Sequence, residues 1–554
     1  MFRLTYLGGV RKHPSMQLFV PYIQDKPMKI KALRSRLFTH LEGIPLISAV
    51  LALQKRDVLD IFNQQDRVTI TDLSDRLKAN EGYLNAGMRL MASQGWLVLD
   101  FEDGQPAYTI TLKGKAAIKN LSVWQDLGNW IRVAKDFGEI GLEELGGLDS
   151  DMMLRLIQSI SDGEPGLEID SVENQMLAHR EGLICSVLLV NIGMKGLLEG
   201  NDLVFPKDWG TFGLDTAVQS MFEHLNWVYP TTTGYRFTEE GDFFRKRASA
   251  YGVTVSYLQT FHWLEELMFG KGDVLWDNPI GAKEIHVDRK MNVWGSGGAH
   301  STYFNKIDEI VIEIFNRPLE DQPKGIADMG CGNGALLAHL YDVVKEHTLR
   351  GRHLEEHPIL MIGADFNEAA LEVTAENLLA TGMDFHCVFG DIGDPMGLSM
   401  TLHQEFDVDL KDMLSVRSFL DHNRVFVEPK GDFNKRDRHS TGAFSFRGRR
   451  LSCAQVEQNL YEHMKSWKPF VEKFGLLVIE LHTIPPALAC ENLGRTTITA
   501  YDGTHGFTDQ YIVEREVFLQ LAEEAGLRPV PQFSSRFPNS DLATVSINLL
   551  KGDQ

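Results

Sequence analysis

The run IADMGCGNGALLAHL, from Ile326 to Leu340, places Gly330, Gly332 and Gly334 between a short apolar stretch and a helical one. Glycines so spaced let the backbone turn tightly and approach a ligand with no Cβ in the way. Because Ala335 follows, the string also satisfies G-x-G-x-x-A, one form of the dinucleotide fingerprint. The neighbouring carboxylates separate the possible ligands. Asp328, two positions before the first glycine, would repel a pyrophosphate and suits a cationic or hydroxyl-bearing group. NAD carries two phosphates, whereas S-adenosylmethionine carries an ammonium and a sulfonium. Asp365, closing LMIGADF, can accept from both ribose hydroxyls, and Asp391, in VFGDIGDP, from an exocyclic adenine amine. Acid at three successive strand ends behind a glycine turn points to S-adenosylmethionine. Cys331, Phe366 and Ile392, which adjoin these groups, complete the expected cofactor lining.

Two later segments add chemistry. SVRSFLDHNRVF and IELHTIPP read as the ends of the fourth and fifth strands, so Asp421, His422 and His482 meet by topology although 60 residues separate the segments. Imidazoles with oxygen ligands suit Mn, Fe or Zn. The same groups also suit a general base.

The elements that must hold these residues begin at about 285, where strand and helix alternate as far as ATVSINLL. That pattern predicts a doubly wound, Rossmann-like α/β core binding its ligand at the carboxyl ends of the strands. At 554 residues the chain exceeds one core. Residues 36–118 read as helices and then a hairpin, with Thr71 as an N-cap, and 181–247 repeat the plan. SQGWLVLDFEDGQPAYTITLKGKAA and EHLNWVYPTTTGYRFTEEGDFF share a Trp, a turn, an aromatic-led strand and a Gly-closed helix start, which indicates a duplicated winged helix. The expected domains are an N-terminal winged-helix-like unit (1–120), a helical linker with a second such unit serving as a lid (121–284), and an S-adenosylmethionine-dependent methyltransferase core (285–554).

The helices that would enter DNA hold one cation in the first unit, Arg89, and no Lys or Arg in the second. Groove binding needs several phosphate-neutralising cations, and a net charge of −21 opposes nucleic acid and anionic membranes alike. Five scattered cysteines without C-x-x-C indicate neither disulfides nor a thiolate zinc site. No signal-type apolar region and no 18-residue apolar stretch is evident, so a cytoplasmic protein is expected.

HVDRKMNVWGSGGAH, DMGCGNG, SFLDHNR, IELHT and DGTHGFTDQYIVE together resemble the C-methyltransferases of bacterial polyketide synthase loading modules, including those of the saxitoxin and apratoxin pathways. The resemblance runs from about residue 36 to the end. It implies a mononuclear iron or manganese, Fe(II) or Mn(II), methylation of a malonyl or methylmalonyl thioester on an acyl carrier protein, and starter-unit biosynthesis. Carried across the motifs, it makes His482 and Gln510 the metal ligands. Asp421 and His422 become acid/base candidates and His505 a weaker one. Arg417, Asn423 and Arg424 become candidates for orienting the malonyl carboxylate. It also places the segment Asn292 to His300, with Ser296, over the cofactor.

A metal chelated by the thioester would stabilise the enolate as a Lewis acid. An acidic carrier calls for a basic patch, and PKGDFNKRDRHSTGAFSFRGRR supplies Lys430, Lys435, Arg436, Arg438, Arg447, Arg449 and Arg450. Two other readings stay open: a small-molecule O-methyltransferase, and a winged-helix DNA-binding regulator that senses S-adenosylmethionine.

Overall fold

The computed structural model describes residues 26–137, 147–163, 171–206, 209, 213–232, 234–277, 284–436 and 440–552. In the helical lobe, α1 (Lys26–Lys55), α2 (Glu81–Ser93) and α3 (Val172–Met194) form the frame. α1 and α3 touch backbone to backbone: a Cβ on Gly43 would lie 2.7 Å from His179 Cα, and one on Gly182 would lie 2.3 Å from His40 Cα. Contrary to the sequence expectation, both helices contain an 18-residue window long and apolar enough to cross a membrane. In each, 83% of that window is buried within the protein, as in a core helix.

Each winged unit is a three-stranded sheet with the same strand order. The first joins Arg67–Thr69, Leu97–Glu102 and Gln105–Ile110, and the second joins Asp202–Leu203, Val228–Thr231 and Gly234–Phe237. Their ends match in detail. Thr111 N–H donates to the Trp96 carbonyl while its hydroxyl accepts from Gly114 N–H; Thr238 does the same with Trp227 and Gly241. The cap of the helix Ile70–Leu77 is Thr69, not Thr71, because Thr69 is still paired as strand and accepts from Asp72 N–H. Thr71 instead donates to Glu81 Oε1.

α4 (Arg289–Phe315) leads from lobe to core: Met291 lies in the lobe's apolar cluster, and Ile307 to Phe315 pack under the sheet. The core has β1 (Gly325–Met329), α5 (Ala335–His347), β2 (Leu360–Asp365), β3 (Asp384–Phe389) and β4 (Met413–Ser418). There follow α6 (Cys453–Val471), β5 (Leu476–Leu481), α7 (Ile498–Gly506), α8 (Arg515–Glu524), β6 (Leu527–Phe537) and β7 (Val545–Gly552). The sheet order is β6-β7-β5-β4-β1-β2-β3, with β1 to β5 parallel and β6 and β7 antiparallel additions at one edge. Chain order reverses between β1 and β4, and the carboxyl ends on either side of that reversal are where such sheets bind ligands. β1, β4 and β5 are buried at nearly every position, as strands covered on both faces must be. The long β1–β2 connection is only partly surface: Arg350 within it is buried and donates to the Pro358 carbonyl.

Candidate active site

The glycine turn follows β1 directly. Gly330, Gly332 and Gly334 all have positive φ (75°, 57° and 76°), a region a side chain would strain, and Gly334 leads into α5. A Cβ on Gly334 would press on Thr374 at 2.9 Å, whereas beside Gly332 there is open space on the cleft side. Asp365, ending β2, binds the turn across the cleft mouth: its Oδ2 accepts from Gly332 N–H at 3.0 Å and its Oδ1 from Asn367 N–H at 2.9 Å. Asp391 Oδ1 accepts from Gly393 N–H at 2.7 Å.

Asp328 is 2% exposed, and among the described residues its Oδ1 has no partner. Burial, and secondarily the nearby Asp365 charge, push its carboxyl up to about 8. A buried acid without a counter-charge beside a glycine turn is built for a cation that arrives with a ligand.

Cys331 is a buried packing group, with its thiol 3.6 Å from the Thr374 hydroxyl. Phe366 is 62% and Phe389 51% exposed, their rings 5.3 Å apart at the adjacent ends of β2 and β3. Two bare aromatics there offer a flat apolar surface beside Asp365. Phe389 escaped the sequence reading, although its place just before GDI could have suggested it. Ile392 is half-buried and its carbonyl accepts from Trp467. Ser296 lies within α4, and its hydroxyl donates to the Val293 carbonyl. His300 lies where side chains are outside the described residues.

The candidate chemical groups divide in two. His422, in the turn after β4, pairs through Nδ1 with Glu480 Oε1 in a short contact, and its backbone N–H donates to Glu480 Oε2 at 3.3 Å. Glu480, on β5, is 1% exposed. The His505 ring meets the His422 ring nearly edge-on at 4.9 Å. Burial holds His505 neutral, near 3, with Nδ1 on the Tyr501 carbonyl. Gln510 N–H donates to the His505 carbonyl and Tyr511 N–H to the His422 carbonyl, so this segment stitches the cluster together. From the lobe, the Tyr257 hydroxyl reaches Gln510 Nε2 at 3.2 Å. Glu480 was also missed from sequence. It lies two residues before His482, hence on the same face of the strand, and that spacing was the available signal.

Arg417 and Asp421 are fully buried and bind each other, with Asp421 Oδ1 shared between Arg417 Nη1 at 2.5 Å and His463 Nε2 at 2.9 Å. The guanidinium stacks 4.0 Å over Trp467. These charges tie the sheet to α6, and among the described residues Arg417 Nε and Nη2 and Asp421 Oδ2 have no partner. Arg424 is likewise occupied, by Asn459 and the Asp421 carbonyl, while Asn423 is exposed.

His482 fits a metal poorly. Its Nδ1 faces the Val513 carbonyl at 3.3 Å and must be the protonated nitrogen, so Nε2 spends its lone pair on the Ser546 hydroxyl at 2.7 Å. Burial keeps the ring neutral, near 3, so no nitrogen remains to coordinate. Gln510 Nε2 donates to Tyr257 and to Thr508. Among the described residues no group of three or more His, Cys, Asp or Glu converges as a metal site.

The described arginines of the basic segment are paired, Arg447 and Arg449 while still exposed. Arg450 is held by Glu81 and Gln105, Arg447 by Asp509 and the Trp276 face, Arg449 by Glu428, and Arg436 by Glu524. Lys430 lies at the surface; the Lys435 side chain and Arg438 lie outside the described residues. Arg89, the one cation on the first candidate recognition helix, is 1% exposed. It joins lobe to core through Asp502, Thr441, Thr483 and the Ile484 carbonyl.

Three sequence families match in succession: the AprA N-terminal domain over 33–99, the AprA winged helix domain over 181–271 and the AprA MT2-like domain over 284–548. No curated protein matches. Among solved structures, the chain is similar to the citrinin polyketide synthase CMeT domain (9% identity, 79% of this chain and 98% of that one, TM-score 0.35). It is also similar to an O-methyltransferase family protein from Burkholderia thailandensis (12%, 67% and 95%, 0.37) and to the CurJ carbon methyltransferase (12%, 78% and 99%, 0.30). With AprA-type domains running from lobe to core and the glycine turn and its acids in place, the chain is an S-adenosylmethionine-dependent methyltransferase whose core is an AprA MT2-like domain.

Proposed function

We propose that the enzyme methylates carbon: the α-carbon of a malonyl-type thioester on an acyl carrier protein, in polyketide starter-unit assembly. The observation that carries this reading is the His422–Glu480 pair at adjacent strand ends beside the glycine turn. Glu480 fixes the imidazole with its proton on Nδ1, and among the described residues nothing hydrogen-bonds Nε2. His422 Nε2 takes the α-proton. The electron pair left on carbon attacks the methyl group in line with sulfur; the C–C bond forms, the S–CH3 bond breaks to give S-adenosylhomocysteine, and His422 holds the proton until solvent removes it. Burial raises the Tyr257 phenol, which stays protonated. Because it accepts from Gln510, its own hydrogen is available for the thioester oxygen as charge develops. No step is assigned to iron or manganese, because the His482 lone pair is engaged.

The test is intact-protein mass spectrometry of malonyl-loaded carrier with enzyme and S-adenosylmethionine, with and without chelator. A methyl-sized gain that survives chelation and disappears in His422→Ala supports the reading. A gain that requires restored Fe(II) or Mn(II) would refute the base mechanism, and methylation of free hydroxylated acceptors alone would refute the substrate class.

A further inference from the structure

A second cleft, of about 370 Å³, wraps the free edge of the sheet where β6 ends. Lys306 of α4, Arg515 at the start of α8 and Arg536 of β6 line it, with the Ser534 and Ser535 hydroxyls between them and Phe537 on its wall. Among the described residues no carboxylate lines it, in a chain of net charge −21. The cations' only acidic partners among the described residues are Glu309, Glu516 and Asp541, which are 61%, 72% and 88% exposed. Exposed pairs of this kind hold their partners weakly, so an incoming anion can displace them. Arg515 Nε is buried without a partner among the described residues, and its Nη2 is 3.5 Å from the Ser534 hydroxyl. Two guanidiniums, an ammonium and two hydroxyls around one space are donors suited to phosphate oxygens.

The cleft stands level with the catalytic pair. Arg536 registers with Ser546, and Ser546 with Glu480, so the two sites are two strand spacings apart, about 10 Å. On that face a hydrogen-bond ladder runs from Ser534 through Asn548 and Ser546 to His482, fixing the cleft wall against the strand that carries Glu480. We propose that this cleft seats the phosphate of a 4′-phosphopantetheine arm whose acyl thioester reaches His422. The proposal rests on the thioester reading above. The same phosphate occurs on a carrier serine and in coenzyme A, and the chemistry of the cleft takes either.

The experiment compares malonyl-loaded carrier, malonyl-coenzyme A and malonyl-N-acetylcysteamine, which lacks the phosphate, using wild type and Lys306→Gln/Arg536→Gln. In wild type the phosphate-free thioester should show the highest KM. In the variant, KM for the phosphate-bearing substrates should rise about tenfold or more, so that the preference collapses. A shift for carrier alone assigns the cleft to the carrier-borne arm, and a shift for both assigns it to the phosphate from either source. An unchanged preference overturns the proposal. If wild type methylates none of the three, the thioester reading has failed. Calorimetry with 4′-phosphopantetheine then decides the cleft on its own: binding that the double variant weakens tenfold supports it, and no binding refutes it.

Discussion

Asp328→Asn should make this enzyme more stable while removing its cofactor. The carboxyl is 2% exposed with one oxygen unpartnered, and its folded-state value is about 8 against an ordinary 3.8. The folded protein therefore binds this proton more tightly than the unfolded chain does, and stability falls as pH rises from 3.8 towards 8. At pH 7 the penalty is the interval from 3.8 to 7, about 4 kcal/mol, and at pH 5.5 it is about 2 kcal/mol. An asparagine never ionises, so the variant should gain up to about 4 kcal/mol at pH 7 and about half that at pH 5.5. Chemical denaturation of both proteins at the two pH values, without ligand, measures the gap. Calorimetry should show that wild type binds S-adenosylmethionine more tightly as pH rises towards 8, because its cationic groups favour the ionised acid, while the variant binds weakly with a flatter pH dependence. A variant less stable than wild type at both pH values, or one with undiminished cofactor affinity, would refute the argument that this acid is kept strained for a cation.

Glu480→Gln should lower the methylation rate by about 10² to 10⁴, since an amide cannot fix the His422 tautomer as a carboxylate does, while cofactor affinity stays at the wild-type value by calorimetry. Arg89→Met leaves Asp502 buried without its charge partner and should cost about 3–5 kcal/mol, read as a lower denaturant midpoint. Metal removal by prolonged dialysis against chelator should leave turnover unchanged, because both His482 nitrogens are already bonded; turnover that falls and is restored by Fe(II) or Mn(II) would contradict that.

The local order of the chain was legible from sequence because it depends on neighbours. Alternating strands and helices, the positive-φ glycines and the repeated Trp-to-Thr-capped helix are short-range signals, and each appears where the residues predicted it. Residue types alone also placed Asp328, Asp365 and Asp391 at the ends of strands or just beyond them. Tertiary structure decided what each group faces. Asp421 and His422 are adjacent in sequence, yet one is buried in an ion pair with Arg417 and the other is aimed by Glu480 from a different strand. His482 Nε2 meets the hydroxyl of Ser546, 64 residues later, and the described arginines of the basic segment meet carboxylates that folding brings beside them. Hydrogen bonds and charges are satisfied by whatever packing delivers within about 3 Å, and that is set by the fold as a whole rather than by spacing along the chain.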